Sequence, residues 1–564
     1  MTNPVSQAKQ DIAVLLDGAL ERAVESGVLP AASELPDFVV EIPADTSHGD
    51  FASNIAMACA RPFKCAPRKI AEAICAALDL TGTVFERVEI AGPGFINFFL
   101  SPRWFADVVK SVLSAGADYG RTDYGRGEKV QVEFVSANPT GPMHMGNARG
   151  GALGDCLAAV LDWSGHNVTR EFYVNDAGNQ IEKFGCSLEA RYLQIFKGED
   201  AVAFPEDGYH GDDIRERAQQ FADQFGDRFV ESDSAARRQA LVDFALPRNI
   251  EKLRADLERY RIHYDVWFRE SELHHGAIDE AIRVLAARGM TYEQDGALWY
   301  RATENGGEKD EVLVRANGFP TYFAADIAYH YNKFAVRGFE RVINVWGADH
   351  HGHVARLKGA MDAIGLNGDK LDIVLMQFVR LMQDGKPVKM SKRTGKAISL
   401  TDLIEEVPVD AARFLFNMRE PNSMVDFDLD LAVEQSMQNP VYYVQYAHAR
   451  ICSLLKKLED EGVAPRTCTY DELCALRAPE EIELIRTLAR FPQEIIDSAR
   501  GYDPARLTKY ATDLATVFHK HYTVHRVRGE AEPLMQARLN LYLAARTVIA
   551  NVLGMLKITV PESM

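Results

Sequence analysis

The stretch Glu133 to Asp155, EFVSANPTGPMHMGNARGGALGD, follows a run of apolar residues that begins at Val130, and it decides the fold. The apolar run reads as a strand. It enters a turn rich in Pro and Gly, and the small residues from Gly146 onward continue as a helix through Leu161. A strand that feeds a helix through such a turn is a phosphate-binding architecture. Gly141 and Gly146 let backbone approach a ligand, while the start of the helix offers unpaired N–H groups and a positive dipole end. His144 stands at the mouth of that helix, where an imidazole can donate to a phosphate oxygen. The same pattern also serves as a purely structural strand-to-helix turn. A Walker loop is excluded, since no GxxxxGK[ST] occurs in the chain.

Outward from this stretch, Arg341 to Gly352 (RVINVWGADHHG) and Leu371 to Met382 (LDIVLMQFVRLM) repeat the texture of apolar strands set between amphipathic helices. Residues 116–400 are therefore expected to form an α/β unit around a parallel, Rossmann-like sheet with ligands at the strand C-termini. The charged, helical interval from about 185 to 295 reads as an insertion into it. Residues 1–115 read as an α+β unit, with helical spacing in 11–24 and 68–78 and paired strands around the Gly-Pro-Gly turn of 84–100. The glycine-rich, charged segment 115–129 marks a boundary. Past Asp410 the chain is expected to be almost wholly helical, with 401–435 as a connecting segment and 436–564 as an all-α bundle.

The chain has 564 residues, 47% hydrophobic and 26% charged, which suits three or four ordinary globular units. Its eight cysteines form no CxxC, so buried free thiols are the expectation rather than disulfides or a thiolate metal site. The formal net charge of −18 argues against a chain that coats nucleic acid indiscriminately, although local basic surfaces can still meet phosphates. No apolar run is long enough for a membrane span and the start is unlike a signal peptide, so a cytoplasmic protein is expected. A second cluster, Lys386 to Lys396 (KPVKMSKRTGK), is suited to bring Lys389 and Lys392 onto a triphosphate; taken alone it reads first as a solvated basic loop, and only together with the first motif as half of a nucleotide site.

His144-Met145-Gly146-Asn147 resembles the HIGH signature, and Lys389-Met390-Ser391-Lys392-Arg393 the KMSKS signature, of class I aminoacyl-tRNA synthetases. SANPTGPMHMGNARG, PTYFAADIAYH, VWGADHHGH, GDFASNIAMACA, GPGFINFF and the terminal VP-x-x-M narrow the resemblance to the bacterial arginyl-tRNA synthetase family over essentially the whole chain. Asn147 departs from the signature's second histidine; an amide donates a hydrogen bond but carries no proton.

The resemblance implies ATP-dependent activation of L-arginine and transfer to the 3′ end of tRNA(Arg), with ATP as its magnesium complex, no tightly bound cofactor, no resident metal and a monomeric enzyme. It also implies that tRNA is needed before the adenylate forms. Matched residue by residue, it assigns catalysis to His144, Gly146, Asn147, Lys389 and Lys392. ATP contacts fall to Pro139, Gly141, Met145, Gly347, Asp349, His350, Met390 and Ser391. Carboxylates suit a guanidinium, and Glu133 and Asp326 match the arginine pocket together with Tyr322, Ser136 and Asn138. The tRNA contacts fall to Phe95 and Asn97 in the first unit, for the D-loop, and to Tyr446 and Arg450 in the C-terminal bundle, for the anticodon. The three histidines at 350, 351 and 353 could suggest a metal site, but companion ligands at metal spacing are missing.

Overall fold

A computed structural model describes residues 3–31, 35–388 and 398–564. Its centre is a parallel sheet built from β1 (Lys129–Glu133), β2 (Asn167–Val174), β3 (Val266–Arg269), β4 (Arg341–Gly347) and β5 (Leu371–Met376), in the spatial order β5-β4-β1-β2-β3. Between β1 and β4 the chain order reverses, and the strand ends open a crevice at that switch point. Three helices frame the crevice: α1 (Met145–Trp163), α2 (Tyr322–Tyr331) and α3 (His351–Ala363).

The glycines of α1 explain how closely it packs. A Cβ on Gly154 would lie 2.2 Å from Cγ of Phe134, and one on Gly151 would lie 2.5 Å from Cδ1 of Ile262. Only hydrogen fits at these positions, so the helix settles directly against the end of β1. Just past β1, Val135 (φ 69°) and Ser136 (φ 43°) adopt left-handed backbone. Two consecutive non-glycine residues in that region are costly, and such strain collects where a turn is over-determined by its surroundings. Here Ser136 Oγ donates to Glu133 Oε1 at 3.0 Å and accepts from the Tyr173 N–H at 3.1 Å.

The first unit is α+β as expected. Its antiparallel sheet runs Val40–Glu41, Phe51–Ser53, Phe95–Leu100, Phe85–Ala91, backed by helices Pro4–Glu25 and Pro67–Ala77. Four long helices, Pro440–Asp460, Pro479–Gly501, Ala505–Val524 and Glu532–Met555, make the C-terminal bundle. Buried Arg413 ties the centre to that bundle: it donates to the Asp155 carboxylate at 2.5 Å and to the carbonyls of Tyr260 and Leu556 at 3.0 and 2.8 Å.

Three expectations need correction. The interval 185–295 is helical over Ser234–Arg259 and its neighbours, but β3 lies inside it and completes the sheet, and Thr291–Gln294 and Ala297–Tyr300 belong to a separate antiparallel sheet. The run 371–382 splits at Gln377, whose N–H donates to Pro421 at 3.0 Å and whose carbonyl accepts from Arg149 at 2.6 Å; Val379–Gln383 then joins a different sheet. That sheet also takes Val425–Asp428, a strand within the segment expected to be helical. Helix Pro102–Ala115, at the end of the first unit, packs against Pro479–Gly501 and Glu532–Met555.

Candidate active site

His144 is the N-cap of α1. Its Nδ1 accepts from the Gly146 N–H at 3.0 Å, so the ring proton sits on Nε2 as a donor. Desolvation within the cleft lowers its pKa, which agrees with a neutral imidazole. Gly146 is required by this packing, because a Cβ there would lie 2.9 Å from Cε1 of His144. Asn147 Oδ1 accepts from the His144 N–H at 3.0 Å and closes the cap from the other side. The amide that replaces a histidine thus has a structural task, and its Nδ2 keeps a donor available.

His144, Met145, Gly146, Asn147, Gly347, Asp349 and His350 line one cleft of about 750 Å³. Lys389, Met390, Ser391 and Lys392 lie outside the described residues. Their described neighbours Val388 and Ile398 both line this cleft, and Leu400 N–H donates to Met143 O at 2.8 Å beside a bridge between His144 and Ser399. Two residues expected to contact ATP are placed beside the cleft and do not line it. Pro139 is buried, with its carbonyl accepting from Asn249 Nδ2 at 2.9 Å, and Gly141 is not among the lining residues, its nearest would-be Cβ contact being Asp213 Oδ2 at 4.0 Å.

A second cavity of about 500 Å³ holds Tyr322, Phe323, Asp326, His353 and Arg356, and it shares Asp349 and His350 with the first. Asp326 Oδ2 accepts from His353 Nε2 at 3.0 Å. Close by stands Glu270, directly after β3, only 3% exposed. Burial, with Asp326 and Asp176 as like-charged neighbours, raises its pKa to about 7 against the pull of the Tyr173 hydroxyl. The His274 ring lies 3.8 Å from Oε1, and no lysine or arginine pairs with Glu270 among the described residues. Sequence reasoning missed Glu270 because the interval was taken as an insertion; the available signal was an acid just past the short strand VWFR, where Glu133 ends the strand KVQVE.

Glu133 is placed differently from the expectation. It is buried, and its Oε2 accepts from Lys333 Nζ at 2.6 Å while Ser136 takes Oε1. Lys333 is wholly buried on a π-turn, Asn332–Val336, that prolongs α2, and it also donates to Asn344 Oδ1 at 3.1 Å. Burial lowers its pKa, with Glu133 pulling the other way. The charge of Glu133, expected to face the guanidinium of arginine, is matched here from within the protein. Asn138 is exposed beyond the left-handed turn.

On the first unit, Phe95, Asn97 and Phe99 alternate onto the sheet face opposite buried Ile96, Phe98 and Leu100, with Arg87 3.6 Å over the Phe99 ring. Phe95, expected with Asn97 to meet the tRNA D-loop, is half-buried and accessible, whereas Asn97 is only 4% exposed. In the bundle, Tyr446 and Arg450 are half-buried on one helix face. Tyr446 stacks on His519 at 5.8 Å, and the Arg450 guanidinium lies 3.9 Å over Tyr522. Aromatic faces beside a cation suit splayed RNA bases.

Three families match consecutive parts of the chain: the arginyl tRNA synthetase N terminal domain over residues 10–100, the class I (R) tRNA synthetase catalytic domain over 108–453, and the DALR anticodon binding domain over 444–564. The arginine–tRNA ligases of Acetivibrio thermocellus and of Caldanaerobacter subterraneus subsp. tengcongensis are each 55% identical over 100% of both chains. The fold is shared with arginyl-tRNA synthetase from Thermus thermophilus, at TM-score 0.72 and 22% identity over 97% of this chain and 99% of that one.

Proposed function

The chain belongs to the arginyl-tRNA synthetase family and is an arginine–tRNA ligase, and from that premise we propose how its two joined cavities divide the work. ATP takes the cleft at the start of α1, and the arginine side chain takes the acidic cavity. The wall shared at Asp349 and His350 supports this division, because it brings the arginine carboxylate to the α-phosphate.

The carboxylate oxygen attacks the α-phosphorus, the bond to the β-phosphate oxygen breaks, and pyrophosphate leaves. A 3′-terminal ribose hydroxyl of the tRNA then attacks the carbonyl carbon, and AMP leaves as the ester forms. Since the substrate supplies the nucleophile, the protein contributes placement and charge. His144 Nε2–H and the first N–H groups of α1 donate to phosphate oxygens. Lys389 and Lys392 stabilise departing pyrophosphate, with magnesium entering on ATP. Asp326 and Glu270 hold the guanidinium beside Tyr322, and Asn138 meets the α-amino or carboxylate group. Glu133 positions the turn through Ser136 instead of touching substrate. Phe95 and the pair Tyr446 and Arg450 contact tRNA.

The test is Asp326→Ala in arginine-dependent ATP–pyrophosphate exchange with total tRNA present. The arginine KM should rise about a hundredfold, as expected for a lost charge-assisted fork of roughly 2–3 kcal/mol. The ATP KM should move less than twofold. Equal effects on both would remove Asp326 from the pocket.

A further inference from the structure

His353 is one of three neighbouring histidines, and the reaction as described has no direct use for it, yet both its ring nitrogens are engaged. Arg356 Nε–H donates to Nδ1 at 2.7 Å, and Arg356 Nη1 donates to Glu311 Oε1 at 2.8 Å. An arginine cannot accept, so Nδ1 carries a lone pair and the ring proton lies on Nε2, which donates to Asp326 Oδ2 at 3.0 Å. The ring is held edge-on to Phe323, at 5.8 Å, and tilted against Trp346, at 5.5 Å. No lone pair remains for a metal ion. The hydrogen bonds all run one way, from the cation paired with Glu311 to the carboxylate that faces the cavity.

We propose that His353 is a positioning residue that sets selectivity for arginine. By binding one oxygen of Asp326 in a fixed direction, it presents the other oxygen to the planar fork of a guanidinium. A carboxylate free to rotate would meet guanidinium and ammonium more evenly. The relay also keeps the protein's own guanidinium, Arg356, paired with Glu311 at the cavity wall, so that it does not occupy Asp326 in place of substrate. Glu311 belongs to the strand Glu311–Val314 of the small antiparallel sheet. Selectivity at the sheet crevice thus depends on a neighbouring substructure that touches no substrate. The proposal rests on Asp326 receiving the side chain of arginine.

Steady-state exchange with arginine, lysine and ATP, with total tRNA present, tests it on His353→Ala, His353→Gln, Arg356→Met and the double variant His353→Ala/Arg356→Met. His353→Ala should raise the arginine KM by about tenfold, leave the ATP KM within twofold and narrow the preference for arginine over lysine. Glutamine reproduces both ends of the relay, accepting from Arg356 and donating to Asp326, so His353→Gln should return to within about threefold of the parent. Arg356→Met should act in the same direction, and the double variant should be no worse than His353→Ala alone. A glutamine variant no better than alanine, or equal shifts in the arginine and ATP constants, would overturn the relay. Asp326→Ala separates the two levels: no change in its arginine KM sinks the pocket and the relay together, whereas a hundredfold rise with an unaffected His353→Ala sinks the relay alone.

Discussion

The C-terminal ends of β1 and β3 each hold a nearly buried glutamate, and the two have opposite surroundings. Glu133 has a lysine 2.6 Å away that is itself wholly enclosed, and it braces a left-handed turn. Glu270 has acids for neighbours and a pKa raised to about 7. A buried carboxylate with an internal counter-ion is a structural part, whereas one left without a counter-ion bears a desolvation cost that an incoming cation relieves. Burial and residue type alone do not separate the two roles; the charge balance does.

The contrast can be broken from either side. The largest effect is expected at Lys333→Met, which leaves Glu133 uncompensated and should lower stability by about 3–5 kcal/mol in urea unfolding. Glu133→Gln combined with Lys333→Met should recover much of that loss, and failure to recover would mean that Lys333 acts through something other than Glu133. Next comes Glu270→Gln, expected to raise the arginine KM between tenfold and a hundredfold, for the roughly 1.5–3 kcal/mol of a charged hydrogen bond, with little change for ATP.

The same variant should be more stable than the parent at pH 8. The folded-state pKa of Glu270 lies above the ordinary carboxylate value, so its contribution to stability is present below about 4.5 and is lost as pH rises through about 7. A destabilised Glu270→Gln at pH 8 would contradict the uncompensated charge. The smallest effect is on pH dependence. Arginine stays cationic and needs the ionised carboxylate, so lowering pH from 7 to 6 should raise the arginine KM by at most about tenfold, and Glu270→Gln should flatten that profile. A profile that keeps its slope in the variant would assign the proton elsewhere.

The signature turn at His144 to Asn147, the antiparallel strands around Gly92 to Gly94 and the C-terminal helices were legible because each rests on local rules: cap geometry, alternation and helical spacing. The edge strand β3 was not. Four residues, VWFR, carry too short a pattern to stand out against charged helices on both sides, and with that strand Glu270 was lost as well. The burial of Asn97 was not legible either, because sequence gives its neighbours along the strand but not Glu89 and Ala52, its partners across the sheet.

The sequence by itself determined the family, the reaction and the positions of the two signatures, since those lie in contiguous residues whose chemistry is local. Only the tertiary structure decided which carboxylates are available to a guanidinium. Lys333 and Glu133 are 200 positions apart, and Asp326 and Glu270 are 56 apart. Whether an acid is neutralised or left wanting a cation depends on distances through space that no linear pattern encodes.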